Sequence, residues 1–141
     1  MARDRGPRVA ALGLAYPAAD PVCASASMER FARRYLLTRE AIAWLWDCYL
    51  PGPDDAHHPL AAPLGADLTG LPLASGLIAG CDVLRDEGQA LAATMAGAGV
   101  AVALHRYPAM IHGFLRYTEL TPIADEAIAT LAADIRNALS A

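Results

Sequence analysis

The chain has 141 residues, a formal net charge of −4, 55% hydrophobic residues and eleven basic residues, all of them arginine. That length is one domain's worth, able to bury roughly two-thirds of its unfolded surface, and the scattered arginines exclude nucleic acid as a partner. The first six residues lack the apolar core of an export signal and no apolar run is long enough for a membrane span, so a cytoplasmic protein is expected.

The polar, Gly/Pro-broken start gives way to Val9 to Tyr16, a near-continuous apolar run of the kind that forms a strand buried on both faces. Pro17 to Pro21 stops it. From Met28 to Leu50 the pattern is mostly helical, with a break near Thr38, which can cap the segment Arg39 to Tyr49. Ile42, Trp44, Leu45, Trp46, Tyr49 and Leu50 leave that segment little polar face. It is expected to be buried or to line an apolar pocket. Cys23, Cys48 and Cys81 are odd in number and have no metal-type or redox-type spacing, so they read as reduced thiols.

Pro51 to Asp55 ends the helical stretch, and a Pro/His/Ala-rich connector runs to Pro72. Asp54, Asp55, His57 and His58 lack tetrahedral-site spacing and read as a solvated loop, so no metal site is expected. Leu73 to Ala79 predicts a strand, Glu87 to about Ala98 a helix closed by Gly97-Ala98-Gly99, and Ala101 to Tyr107 a third strand. Pro108 to Phe114 then forms a loop carrying His112 beside Gly113. In the last helix Thr121 caps, Pro122 takes the first position, and Ile128, Leu131, Ile135 and Leu139 make one stripe. Strands alternating with helices imply right-handed crossovers and a parallel sheet. The strand Val9 to Tyr16 would leave an open apolar edge, able to pair with another chain.

The apolar run Leu77-Ile78-Ala79 ends in Gly80-Cys81-Asp82, which brings Asp82 to the carboxyl end of a parallel strand, where α/β proteins keep their sites. A histidine follows at the end of the next strand. An Asp and then a His at successive strand ends match the second and third members of a Ser…Asp…His hydrolase triad. Taken singly, Asp82 could instead cap the following helix, and His112 could be an ordinary loop histidine. Cys81, adjacent to Asp82 on a strand, points to the opposite face and is not read as a nucleophile.

Tyr35-Leu36-Leu37-Thr38-Arg39, Trp44-Leu45-Trp46-Asp47-Cys48-Tyr49-Leu50-Pro51, His58-Pro59-Leu60-Ala61-Ala62-Pro63-Leu64, Asp67-Leu68-Thr69-Gly70-Leu71-Pro72, Asp82-Val83-Leu84-Arg85-Asp86-Glu87-Gly88 and Met110-Ile111-His112-Gly113-Phe114 occur in this order. Together they closely resemble the carboxyl-terminal half of the hormone-sensitive-lipase-like esterases, an α/β-hydrolase group, from Val9 onward. The resemblance implies triad roles for Asp82 and His112, with Val83 standing where the family usually has Pro. It also implies an α/β fold: a parallel sheet of about three strands with flanking helices, the carboxyl-terminal part of an α/β-hydrolase. Residues 1–141 are then one partial domain with a cap-type helical insertion at about 22–70. Within the cap, Trp44, Trp46 and Tyr49 would line an acyl pocket or simply pack its core.

The family's oxyanion-hole motif, His-Gly-Gly-Gly, and its nucleophile elbow, Gly-x-Ser-x-Gly, do not occur among these residues. The four serines, Ser25, Ser27, Ser75 and Ser140, do not sit between glycines at the elbow spacing. The expectation is a truncated carboxylic-ester hydrolase, inactive alone, whose complete form acts on small acyl esters without metal or organic cofactor. Two alternatives stand beside it. One is a half-enzyme completed by a separate amino-terminal partner, the exposed sheet edge taking that half or a second copy of the chain; the other is a non-catalytic binding module that uses the apolar cap.

Overall fold

The computed structural model describes residues 6–140. Three strands, β1 (Leu12–Ala15), β2 (Ala74–Cys81) and β3 (Val102–Ile111), form one parallel sheet in that order. Helix α1 (Ala26–Arg30) and helix α2 (Arg39–Tyr49) lie in the long excursion between β1 and β2, followed by single 3₁₀ turns at Pro53–His57 and Pro63–Gly65. Helix α3 (Arg85–Gly97) connects β2 to β3, and α4 (Pro122–Ser140) closes the chain.

The period of two along β2 divides the core. Ala74 packs with Leu91 and Met95 of α3, whereas Leu77 and Ala79 pack with Ala124 and Ala127 of α4, so the sheet is covered on both faces. A third cluster, of Met28, Phe31, Ile42, Val83 and Leu84, fastens the base of the helical excursion to the carboxyl end of β2.

Local signals explain the helix ends. Thr38 accepts a hydrogen bond from the Ala41 amide at 3.1 Å and starts α2 as expected, and Thr121 accepts one from the Ile123 amide at 3.3 Å with Pro122 as the first residue of α4. The helix expected from Met28 does not continue. It stops after one short turn, capped at Phe31, and Arg34 and Leu36 beyond it adopt left-handed backbone angles that keep the segment before Thr38 out of an α-helix.

Three other expectations are revised. β1 is four residues long rather than eight, pairing only from Leu12 opposite Ala74 to Ala15 opposite Leu77, and among the described residues its outer edge has no strand. The α4 stripe is only partly covered: Ala124 and Ala127 are fully buried on the same face, Leu131 packs beside them and Ile135 faces Gly13, while Ile128 and Leu139 are exposed. Finally, α2 is not enclosed. Ile42 is buried and Trp46 packs beside it on the same cluster, but Trp44 and Tyr49 are 63% and 65% exposed.

β3 also runs further than expected. Pro108, Ala109 and Met110 belong to the strand and not to a loop, because β3 bulges there: Ala79 pairs with Tyr107, and Cys81 next pairs with Ile111. The bulge brings the Pro108 backbone onto Gly80, where any β-carbon would collide with it.

Candidate active site

β2 ends at Cys81, and the chain turns at once into α3, leaving Asp82 at the strand's carboxyl end with its side chain fully buried. One carboxylate oxygen accepts the Leu84 amide at 3.0 Å, which fixes the carboxyl plane. The other lies 2.9 Å from Nδ1 of His112, thirty residues away in sequence. The bulged end of β3 supplies that histidine, and Gly113, at φ 74°, turns the chain immediately afterwards into the short helix Phe114–Arg116. Fold and motif thus bring the two site residues named from the sequence into direct contact.

An ionised carboxylate only accepts, so Nδ1 of His112 donates the hydrogen bond and Nε2 is left as the basic nitrogen. Among the described residues no side chain occupies Nε2. Tyr16, the residue after β1, packs its ring on the imidazole with centroids 4.5 Å apart and planes inclined at 58°. Burial pushes its phenol above the ordinary value; nearby Arg116 opposes that shift and Asp82 adds to it.

The segment after Asp82 is bracketed by hydrogen bonds to α1 and to the loop after β1. Ser27 of α1 donates its hydroxyl to the Val83 carbonyl at 2.7 Å and accepts the Asp86 amide at 3.1 Å, and its own amide reaches the Asp86 carboxylate at 2.8 Å. Arg85 pairs with Asp86, reaches the Gly80 carbonyl and lies over the Phe31 ring at 5.1 Å. Hydrogen bonding from Arg85, ahead of the Ser27 contacts, holds the Asp86 carboxyl below the usual range. Glu87, buried, accepts the Ala19 amide at 2.8 Å and so ties down the loop that leaves β1. Burial pushes Glu87 up to about 7, against the opposing hydrogen bonds of Ala19 and Asp20.

The sequence marked Asp82 and His112 but passed over Ser27, Asp86, Glu87 and Tyr16. Asp86 and Glu87 resemble the ordinary acidic first turn of a helix, and Tyr16 resembles the end of an apolar run. The signal that could have singled out Glu87 is its place beside Gly88, whose missing β-carbon makes room for Ile78 and Pro17.

The remaining serines and Cys81 are held elsewhere. Ser25 caps α1, Ser140 bonds the Arg136 carbonyl, and Cys81 directs its thiol to the Pro108 carbonyl at 3.7 Å. Ser75 is buried near the opposite end of β2, seven residues from Asp82, or roughly 23 Å at about 3.3 Å per residue. Its hydroxyl donates to Asp134 of α4 at 2.6 Å, and the same carboxylate oxygen lies 2.7 Å from His105 Nε2. Asp134 is the shared acceptor there, so this trio joins α4 to the sheet and is not arranged as a hydroxyl–imidazole relay.

A family model described as alpha/beta hydrolase fold matches residues 1–116. The ethyl acetate hydrolase of Pseudomonas putida is 36% identical over 114 residues, covering 80% of this chain and 36% of that protein. Carboxylesterase NlhH of Mycobacterium tuberculosis is 35% identical, covering 100% of this chain and 46% of that protein. The hyperthermophilic esterase of Pyrobaculum calidifontis superposes with a TM-score of 0.92 at 35% identity, over 99% of this chain and 47% of that one. The chain therefore spans less than half the length of these relatives.

Proposed function

The chain belongs to the α/β-hydrolase fold family, as an esterase-like member, and from that premise we propose that it is the acid–base half of a carboxylic-ester hydrolase. The observation that carries the reading is the 2.9 Å hydrogen bond between a fully buried Asp82 and the Nδ1 of His112. Asp82 holds the imidazole in the tautomer that leaves Nε2 basic. Nε2 then takes the proton from an attacking serine hydroxyl and returns it to the departing alcohol, and Asp82 stabilises the imidazolium formed in between. The second round repeats the transfers with water as nucleophile, releasing the acid.

Nucleophile and oxyanion donors come, on this reading, from a segment outside these residues, because the elbow and the His-Gly-Gly-Gly motif are not among them. The outer edge of β1 is where such a segment fits. A strand laid parallel to β1 would end beside Tyr16, within reach of His112. The apolar surface flanking that edge, formed by Leu12, Leu14, Leu131, Ile135 and Leu139, supports the same placement. Residues 22–70 serve as the cap over the acyl side, and a small acyl ester is the substrate class. The chain by itself does not turn esters over, since without an oxyanion hole alone about 10²–10³ in rate is lost, and the covalent route has no nucleophile.

A second reading, an interaction module, is favoured by one observation: the exposure of two large aromatics of α2, Trp44 and Tyr49.

The deciding experiment is hydrolysis of p-nitrophenyl acetate by the purified chain beside a His112→Ala variant, with and without a separately produced amino-terminal half of an esterase relative. No turnover above the variant by the chain alone, and His112-dependent turnover on mixing, support the proposal. His112-dependent turnover by the chain alone overturns it. An apolar partner that binds through Trp44 and Tyr49, with no turnover in any mixture, favours the second reading.

A further inference from the structure

We infer that Tyr16 is a positioning residue for His112: its ring, presented from a left-handed backbone at the end of β1, is the second constraint that fixes the imidazole against Asp82. The inference rests on the reading of His112 as the site's base.

One hydrogen bond does not fix an imidazole. The torsion that turns the ring about its bond to Cβ is broad and roughly two-fold, so a histidine held at one nitrogen can still swing or flip. The 4.5 Å contact with Tyr16 supplies the missing wall. Tyr16 is in turn backed by Phe114 at 6.2 Å, and Phe114 by Tyr107 at 5.2 Å, so the wall is itself supported by the buried ring that follows Gly113.

The backbone of Tyr16 gives the stronger argument. Its φ of 38° is unusual for a bulky side chain, and the following Pro17 narrows its choices further. A conformation of that kind persists only where its surroundings dictate it, and it gathers at functional sites. Here the surroundings are plain. Upstream, the Tyr16 amide donates to the Leu77 carbonyl at 2.8 Å, continuing the β1–β2 ladder past its last residue. Downstream, Pro17 sits over Gly88, and the Glu87 carboxylate grips the Ala19 amide at 2.8 Å. The chain is thus clamped on both sides of one residue, and that residue's ring lies on His112. Glu87, which touches neither Asp82 nor His112 by a hydrogen bond, acquires a purpose: it holds the loop that sets Tyr16.

The test is side-chain ¹⁵N NMR of the histidines in the purified chain at neutral pH, for the parent, Tyr16→Phe, Tyr16→Ala and Asp82→Asn. The parent and Tyr16→Phe should show His112 in a single form protonated at Nδ1. Tyr16→Ala should show averaging of its two nitrogens toward the free-histidine values, with His105 unchanged as the internal reference. Should Tyr16→Ala lose dispersed amide signals, Tyr16→Leu replaces it, keeping apolar volume without the flat ring, with the same expectation. An unaltered His112 tautomer in the folded alanine or leucine variant overturns the inference. Asp82→Asn separates the two claims: if it moves the His112 tautomer while the Tyr16 variants do not, only the role of Tyr16 fails. If it too leaves His112 unmoved, the Asp82–His112 pair is absent in solution and the proposed function fails with it.

Discussion

Gly80 lies so close beneath Pro108 that a β-carbon on it would overlap the proline's Cα, carbonyl carbon and oxygen. The obstacle is backbone, which cannot rotate aside as a flexible side chain can. Gly80→Ala should therefore push the bulge off the sheet, lower stability by about 1–3 kcal/mol and displace His112 from Asp82. Urea unfolding measures the first effect, and the His112 ¹⁵N tautomer measures the second. A variant with parental stability and tautomer would show that the bulge is not locked by this contact.

Asp82→Asn keeps the shape of the carboxylate but offers His112 an amide. In the complemented enzyme it should lower kcat by about 10⁴, as expected when the imidazole adopts the wrong tautomer, with KM little changed. Initial rates over a range of ester concentration separate the two constants. A loss confined to KM would assign Asp82 to substrate binding.

Glu87 predicts a pH effect of definite sign. Its carboxyl stands at about 7 in the folded chain against 4.5 unfolded, so the folded state binds the proton more tightly. The contribution is fully present below about pH 4.5 and is lost as pH rises through about 7, a change of about 3 kcal/mol at most, at 1.36 kcal/mol per unit. Glu87→Gln keeps an acceptor for Ala19 and should flatten stability across this window. Urea midpoints between pH 4 and pH 8 for parent and variant test it, and parallel curves would contradict it.

Asp134 carries the opposite sign. Hydrogen bonds from Ser75 and then His105 hold its carboxyl below the ordinary value, so its contribution is present above about pH 3.8 and is lost as pH falls through the depressed value. Asp134→Ala should also cost more than Ser75→Ala. The first leaves the buried Ser75 hydroxyl without its acceptor, a penalty of about 1–3 kcal/mol, whereas the second removes donor and need together. Thermal unfolding of both variants decides the order.

The Asp82–His112 contact at the candidate site was legible because both residues follow the ends of strands. Leu77-Ile78-Ala79 reads as a buried parallel strand, and Asp82 and His112 follow from the residues after two such strands together with the family motifs. The extension of β3 past Pro108 was not legible, since proline ordinarily ends a strand and only the three-dimensional approach to Gly80 reveals a bulge. The openness of α2 was hidden for a different reason. Trp44 and Tyr49 have the composition of a core, but burial depends on what lies opposite, and these residues do not say. Tyr16 shows a third limit: its importance is in a backbone angle imposed by Glu87 and Pro17, which no hydrophobic pattern records.

The strand pairing also fixes an order of events in time. Ala74 pairs with Val102 across 28 residues, whereas Leu12 pairs with Ala74 across 62. Closing the longer loop costs only about 0.7 kcal/mol more by chain entropy, but α1, α2 and two 3₁₀ turns must also find their places within it. Contacts close in sequence form sooner, so β2, α3 and β3 should assemble first and bring Asp82 and His112 near each other, and β1, which carries Tyr16 at its end, should dock last. Amide hydrogen exchange in the native chain checks the same division: slower exchange in β2 and β3 than in β1 would mark the β1 edge as the part that opens most readily.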